Sequence, residues 1–164
     1  MVKENKRYDP VAEEAEAALY GENFAWLRSQ RARRWLVVVS LLAVFASTGA
    51  RLADWPVLAL AAIIAFLATW MGLRIAVRKI VDLPDAYIDE RMRDRRGVAY
   101  RHAYTGIGAL LSVFMVAHIA LSLLAKYRGW PEMTGEIWFE LSFTLIFTMM
   151  ILPNAIYAWN ERNI

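Results

Sequence analysis

Four stretches of the chain carry almost no charge, and blocks of Arg, Lys, Asp and Glu separate them. They cover residues 35–50, 55–73, 103–125 and 137–159, and each is rich in Leu, Ile, Val, Ala and Phe on all sides. A helix packed in a soluble bundle shows a polar face every three to four residues, and these stretches do not. Four transmembrane helices are expected. The first is short, because 16 residues rise only about 24 Å against a hydrocarbon core of about 30 Å. Arg34 and Arg51 flank it, and their side chains can reach outward to the interfaces. The pattern predicts an all-α, integral membrane four-helix bundle of two helical hairpins. A segment 1–34 precedes the membrane domain 35–164, and a charged loop 74–102 lies between the hairpins.

The charges also set an orientation. Of the 19 Lys and Arg, only Arg51, Lys126 and Arg128 fall on one side of the four spans. The rest lie in 1–34, in 74–104 and at Arg162, so the positive-inside rule puts both termini and the middle loop in the cytoplasm. Tryptophans agree, with Trp35, Trp70 and Trp159 at the inner interface and Trp55, Trp130 and Trp138 at the outer one. Residues 46–50 resemble a signal-peptide cleavage site, but a 34-residue leader holding six acidic side chains does not fit one. The first span is therefore expected to be retained, in a multi-pass protein of the bacterial cytoplasmic (inner) membrane.

The cytoplasmic segments read as amphipathic helices. Asp9-Pro10 is a helix start, with Asp as N-cap and Pro at the first helical position. Val11, Ala15, Leu19, Phe24 and Leu27 form a weak apolar stripe, followed by the basic cluster Arg28, Arg31, Arg33 and Arg34. In the middle loop Pro84 ends a helix, Asp82 or Asp85 is positioned to cap the next, and that helix runs on toward the third span with Gly97 as its weak point. Asp89 and Glu90 are spaced to pair with Arg93. Arg31, Arg33, Arg34, Asp89, Glu90, Arg91, Arg93, Arg95 and Arg96 are thus candidates for docking a partner or for holding anionic lipid headgroups.

Leu83-Pro84-Asp85, Asp89-Glu90-Arg91 and Arg93-Asp94, followed by Ala99-Tyr100-Arg101 and Ala103-Tyr104, resemble uncharacterised bacterial small four-span membrane proteins. The resemblance covers about residues 80–125. It implies a bacterial membrane protein and carries no function with it.

Polar groups inside the bilayer are costly and so are the first functional suspects. His118, Glu140, Asn154 and Ser112 are the candidates. In an antiparallel hairpin His118 and Glu140 lie at one level, which suggests a contact near the outer face, proton-sensitive or merely structural. Pro153 should kink the fourth span, leaving Asn154 to satisfy freed groups or to bond across to the third span. Gly108-x-x-x-Ser112 and Ala61-x-x-x-Ala65 have the spacing of close helix contacts. Haem at His118 would need a second ligand from a dimer, Met115 or Met149, because His102 lies at the opposite interface. No cofactor is expected.

Composition narrows the rest. The chain has no cysteine, which excludes disulfides, thiolate metal sites and thiol nucleophiles. A net charge of +3 does not point to nucleic acid. No glycine loop for phosphate and no gathered acids, histidines and serines indicate an enzyme. The expected function is that of an accessory, assembly or regulatory component, acting through its charged cytoplasmic segments as a homo-oligomer or as a subunit of a larger membrane complex. The alternative is an oligomeric small transporter or channel using the Pro153-Asn154 kink and His118/Glu140.

Overall fold

The structure is a computed structural model and describes residues 9–20, 24–129 and 134–160. Trp130, Arg162, Lys3, Lys6 and Arg7 fall outside them. Among the described residues there are five α-helices: α1 (Pro10–Tyr20), α2 (Gln30–Leu52), α3 (Pro56–Ala76), α4 (Glu90–Arg128) and α5 (Gly135–Asn160). The last four are long and apolar enough to cross a membrane.

The starts of α1 to α4 have local causes. The Asp9 carboxylate accepts from the backbone N–H of Val11 and Ala12 at 3.0 and 3.3 Å, Ser29 Oγ from Ala32 at 3.2 Å, and Asp89 from Met92 at 2.6 Å. Pro56 opens α3 from its first turn, where no intrahelical donor is missed. Gly129 closes α4 at φ +67°, the left-handed conformation a glycine adopts without strain. The cap of α4 is therefore Asp89, and Asp82 and Asp85 do other work. α2 begins five residues before its uncharged run and takes Arg31, Arg33 and Arg34 into its first turns. Its 23 residues rise about 35 Å, which removes the shortfall in length. α4 joins the loop helix to the third span in 39 uninterrupted residues, with no break at Gly97.

The packing order is α3–α2–α5–α4. The interior of α2 and α3 is lined by small buried residues, Ser40, Ala43, Ser47 and Ala50 on α2 and Ala59 and Ala62 on α3, and Leu36 rests on Gly72. α5 has two working faces. Glu140, Thr144 and Phe147 meet Arg51, Thr48 and Phe66, while Trp138 and Leu152 meet His118 and Gly106. A Cβ at Gly106 would stand 3.0 Å from Leu152 Cδ2, so this glycine sets the approach of α4. Gly108 has open space beside it, and Ala61 and Ala65 are exposed. The small-residue spacing thus finds the right helices and misses the contact face.

α4 is the edge of this row. None of its most apolar stretch is buried, in contrast to α2 and α5. The expected four-helix bundle is therefore open on one side. Among the described residues, the apolar stretch of α4 packs chiefly against α5.

Candidate functional site

At one end of the row, the segment between α3 and α4 is an ordered platform. After α3 the chain turns through Arg78 and Lys79, two consecutive non-glycine residues in the left-handed region at φ 53° and 51°. The apolar side chains that follow, Ile80, Val81, Leu83 and Ile88, are buried in one cluster with Ala99 of α4 and with Ala15 and Leu19 of α1. Polar bonds pin this segment. Arg96 reaches from α4 to the Asp85 carboxylate and to the Leu83 carbonyl, and to the Ile80 carbonyl at 3.5 Å. Tyr100 donates to the Val81 carbonyl at 2.9 Å. Arg74 pairs with Asp82 at 2.8 Å, and its guanidinium lies over the Trp70 ring. Segments without regular structure leave backbone groups to be satisfied, and here side chains of α4 bond four carbonyls, those of Ile80, Val81, Leu83 and Asp85.

α1 is fastened to the same segment. Tyr87 donates its hydroxyl to Asp9 at 2.6 Å, and Arg78 donates to the Leu19 carbonyl at 2.7 Å. Burial, and next the charge of Arg28, lower the Arg78 pKa, but a guanidinium remains charged throughout the accessible pH range. The hydrogen bond from Tyr87, reinforced by the capping bonds, holds the Asp9 carboxyl below its ordinary value; the same bond raises the Tyr87 phenol. A depressed carboxyl contributes above its unfolded pKa and stops contributing as pH falls through its folded one. A raised phenol contributes below its unfolded pKa and stops as pH rises through its folded one. The attachment of α1 should therefore be flat between about pH 4 and pH 10 and weaken outside that window. Amide hydrogen exchange of α1, corrected for intrinsic rates, checks this; a step near neutral pH would contradict it.

The nine candidates for docking or lipid contact divide on this geometry. Arg31 and Arg91 are exposed, as is Glu90 in the first turn of α4. Arg34 is exposed and lies 5.0 Å from the Trp159 ring centre. Asp89 is the cap of α4. Arg93 donates to the Asp85 carbonyl at 2.8 Å and lies 3.9 Å from its carboxylate, so it serves Asp85 and not Asp89 or Glu90. Arg95 is half-buried, and the Arg96 side chain is only 13% exposed. Arg33 is fully buried, which corrects its reading as a surface contact. The reason is azimuth: on a helix Arg33 is turned about 200° from Arg31, and it falls on the buried stripe with Val37, Ser40 and Val44.

The intramembrane candidates are also redistributed. Glu140 is buried and paired with Arg51 of α2 at 2.7 Å, beside a hydroxyl–hydroxyl bond between Thr48 and Thr144. The guanidinium of Arg51 lies near the Phe143 ring as well. His118 is exposed and meets Trp138 edge-on, with ring centres 4.2 Å apart. The expected His118–Glu140 contact is replaced because Glu140 and Trp138 project from different faces of α5. Asn154 is buried and its Oδ1 has no hydrogen-bond partner, so the expected bond to freed groups or to the third span is not made by that atom. α5 continues helically through Pro153 to Asn160. Ser112 is exposed and bonds to the Gly108 carbonyl one turn back. Among the described residues no group of three His, Cys, Asp or Glu converges as a metal site.

Sequence spacing did not reveal Arg51, Thr48, Arg78 or Tyr87 as working residues. A lone arginine at a span end was the only signal for the first of them. Comparison with protein-family models, with curated proteins and with solved structures finds no match to this chain.

Proposed function

We propose that the chain is a multi-pass protein of the bacterial cytoplasmic membrane that serves as an accessory, assembly or regulatory component of a larger complex. Its platform end faces the cytoplasm, following the sixteen Lys and Arg on that side. The observation that carries the reading is the pinned segment between α3 and α4. A connection needed only to return the chain would gain nothing from Arg96, Tyr100, Arg93 and Arg74 all bonding into it. Such fixing supports a surface of constant shape, as recognition of a protein partner requires. Arg91 and Arg101 are exposed along the cytoplasmic part of α4, and Arg31 and Arg34 along the first turns of α2. The first two face a partner, and the second two hold anionic headgroups.

Purification in mild detergent with quantitative mass spectrometry tests this. A stoichiometric companion is expected with the wild-type chain. Arg91→Glu/Arg101→Glu should cut its recovery roughly tenfold, as like charges replace complementary ones at an interface. Equal recovery with both proteins, or no companion at all, rules the reading out.

One observation favours the transporter alternative. The buried polar groups Arg33, Ser40, Ser47, Thr48, Glu140, Thr144 and Asn154 all lie on α2 and α5. Val44, Phe147 and Ile151 interrupt that polar seam between Thr48 and the Ser40 level, which weighs for a helix contact over a path. Loss of ion or solute flux in Glu140→Gln, with companion recovery unchanged, would reverse the preference.

A further inference from the structure

Resting on the docking role just proposed, we infer that α1 occupies the seat of the partner, and that the partner contributes an amphipathic helix that takes its place. α1 lies against the chain between two anchor points, with Leu19 held at Arg78 and Asp9 held at Tyr87. It thus runs antiparallel to residues 78–87, and its ten-residue rise of about 15 Å covers the segment that carries Ile80, Val81 and Leu83. Those three side chains and Val77 are 0–7% exposed and share one apolar cluster with Ala15 and Leu19.

The fastening is light for what it covers. Of α1's apolar side chains only Ala15 and Leu19 are fully buried, one turn apart, while Val11 and Tyr20 are exposed. The segment beneath does not depend on α1 for its shape. Arg96 and Tyr100 hold it from α4, and Arg74 holds it through Asp82. When α1 lifts, a preformed apolar groove remains with the Tyr87 hydroxyl at one end and the Arg78 guanidinium at the other.

Those ends specify the ligand. It is a helix with small and aliphatic residues one turn apart, an acidic side chain at its N-terminal end for Tyr87 and open carbonyls at its C-terminal end for Arg78. A helix held by the same chain wins against a free one through its high effective concentration, so a partner needs contacts beyond the groove. Arg91 and Arg101 offer them.

The test uses the full chain in nanodiscs and a fluorescent peptide of residues 9–20 as the probe. Leu19→Asp places a charge in the apolar seat and should detach the chain's own α1, read as faster amide exchange in α1 with protection of α4 retained. The peptide should then bind Leu19→Asp at least tenfold more tightly than wild type, and a peptide carrying the same substitution should not bind. Tyr87→Phe, which leaves the apolar seat intact, should weaken peptide binding to the Leu19→Asp chain several-fold. Equal binding to wild type and Leu19→Asp, or absence of binding to a chain whose α1 is shown to be detached, overturns the seat. If the peptide binds as expected but recovery of the companion does not rise in Leu19→Asp, the partner's use of the seat is overturned. The charge reversal at Arg91 and Arg101 separately decides the docking role.

Discussion

Replacing Arg51 by leucine should destabilise the protein more than replacing Glu140 by glutamine, by about 3 kcal/mol against about 1. Both changes break the same 2.7 Å ion pair, yet they leave different orphans. The Glu140 side chain is 6% exposed and that of Arg51 36%. Arg51→Leu therefore strands a carboxylate among Phe143, Thr144 and apolar neighbours, where it has lost the cation it pairs with and is too buried to turn to water. Glu140→Gln strands a guanidinium that is already one-third exposed at a helix end, and its long side chain can swing to the surface. Unfolding titrations in mixed micelles would measure both changes. In the double variant, adding Arg51→Leu to Glu140→Gln should cost less than about 1 kcal/mol, so the coupling is of order 2 kcal/mol. Equal costs for the two single changes would mean that burial does not decide the energetics of this pair.

That pair also shows how far the sequence could be read. Depth was legible: the charge-free runs locate four long helices, and the level of Glu140 relative to His118 follows from helical rise. Azimuth is written in the sequence as well. Glu140, Thr144, Phe147, Ile151, Asn154 and Ala158 recur every three to four residues, so they share a face, and Trp138 does not belong to it. Read that way, Glu140 must look away from the helix that Trp138 touches. The same lesson covers Arg33, which a count of adjacent charges groups with Arg31 and Arg34 and a helical projection separates from them.

Other features were not legible for a different reason. Spacing rules for ion pairs hold within a helix, where residues three and four apart are neighbours. Asp85 lies outside any α-helix, and it meets Arg93 and Arg96 only because residues 78–88 fold back along α4. Two consecutive left-handed residues at Arg78 and Lys79 make that return, and neither residue type announces it. The contact from Tyr87 to Asp9 spans 78 positions and depends on the same turn. Composition could show that this region was charged. It could not show that most of the charge is spent on holding the region in place.

Replacing Arg96 by alanine should release the platform and leave the helices standing. Its guanidinium holds the Asp85 carboxylate and the Leu83 carbonyl, with the Ile80 carbonyl at 3.5 Å, and 13% of the side chain is exposed. Hydrogen bonds to a charged group contribute about 1.5–3 kcal/mol each but do not add fully in one network, so a local loss of about 2–4 kcal/mol is expected. Amide exchange over residues 80–88 should then speed up by at least about thirtyfold, since each 1.4 kcal/mol is a factor of ten. The amides of α2, α3 and α5 should keep their protection, because those helices bury their own faces against one another. Arg91→Ala, exposed and outside the bonds described, should stay within about 0.5 kcal/mol of wild type. Arg96→Lys should recover only part of the loss, because an ammonium is a single point charge and cannot span a carboxylate and separate carbonyls as the planar fork does. If Arg96→Lys restored full protection, charge alone would hold the segment, and the shape of this surface would owe nothing to the geometry of the guanidinium.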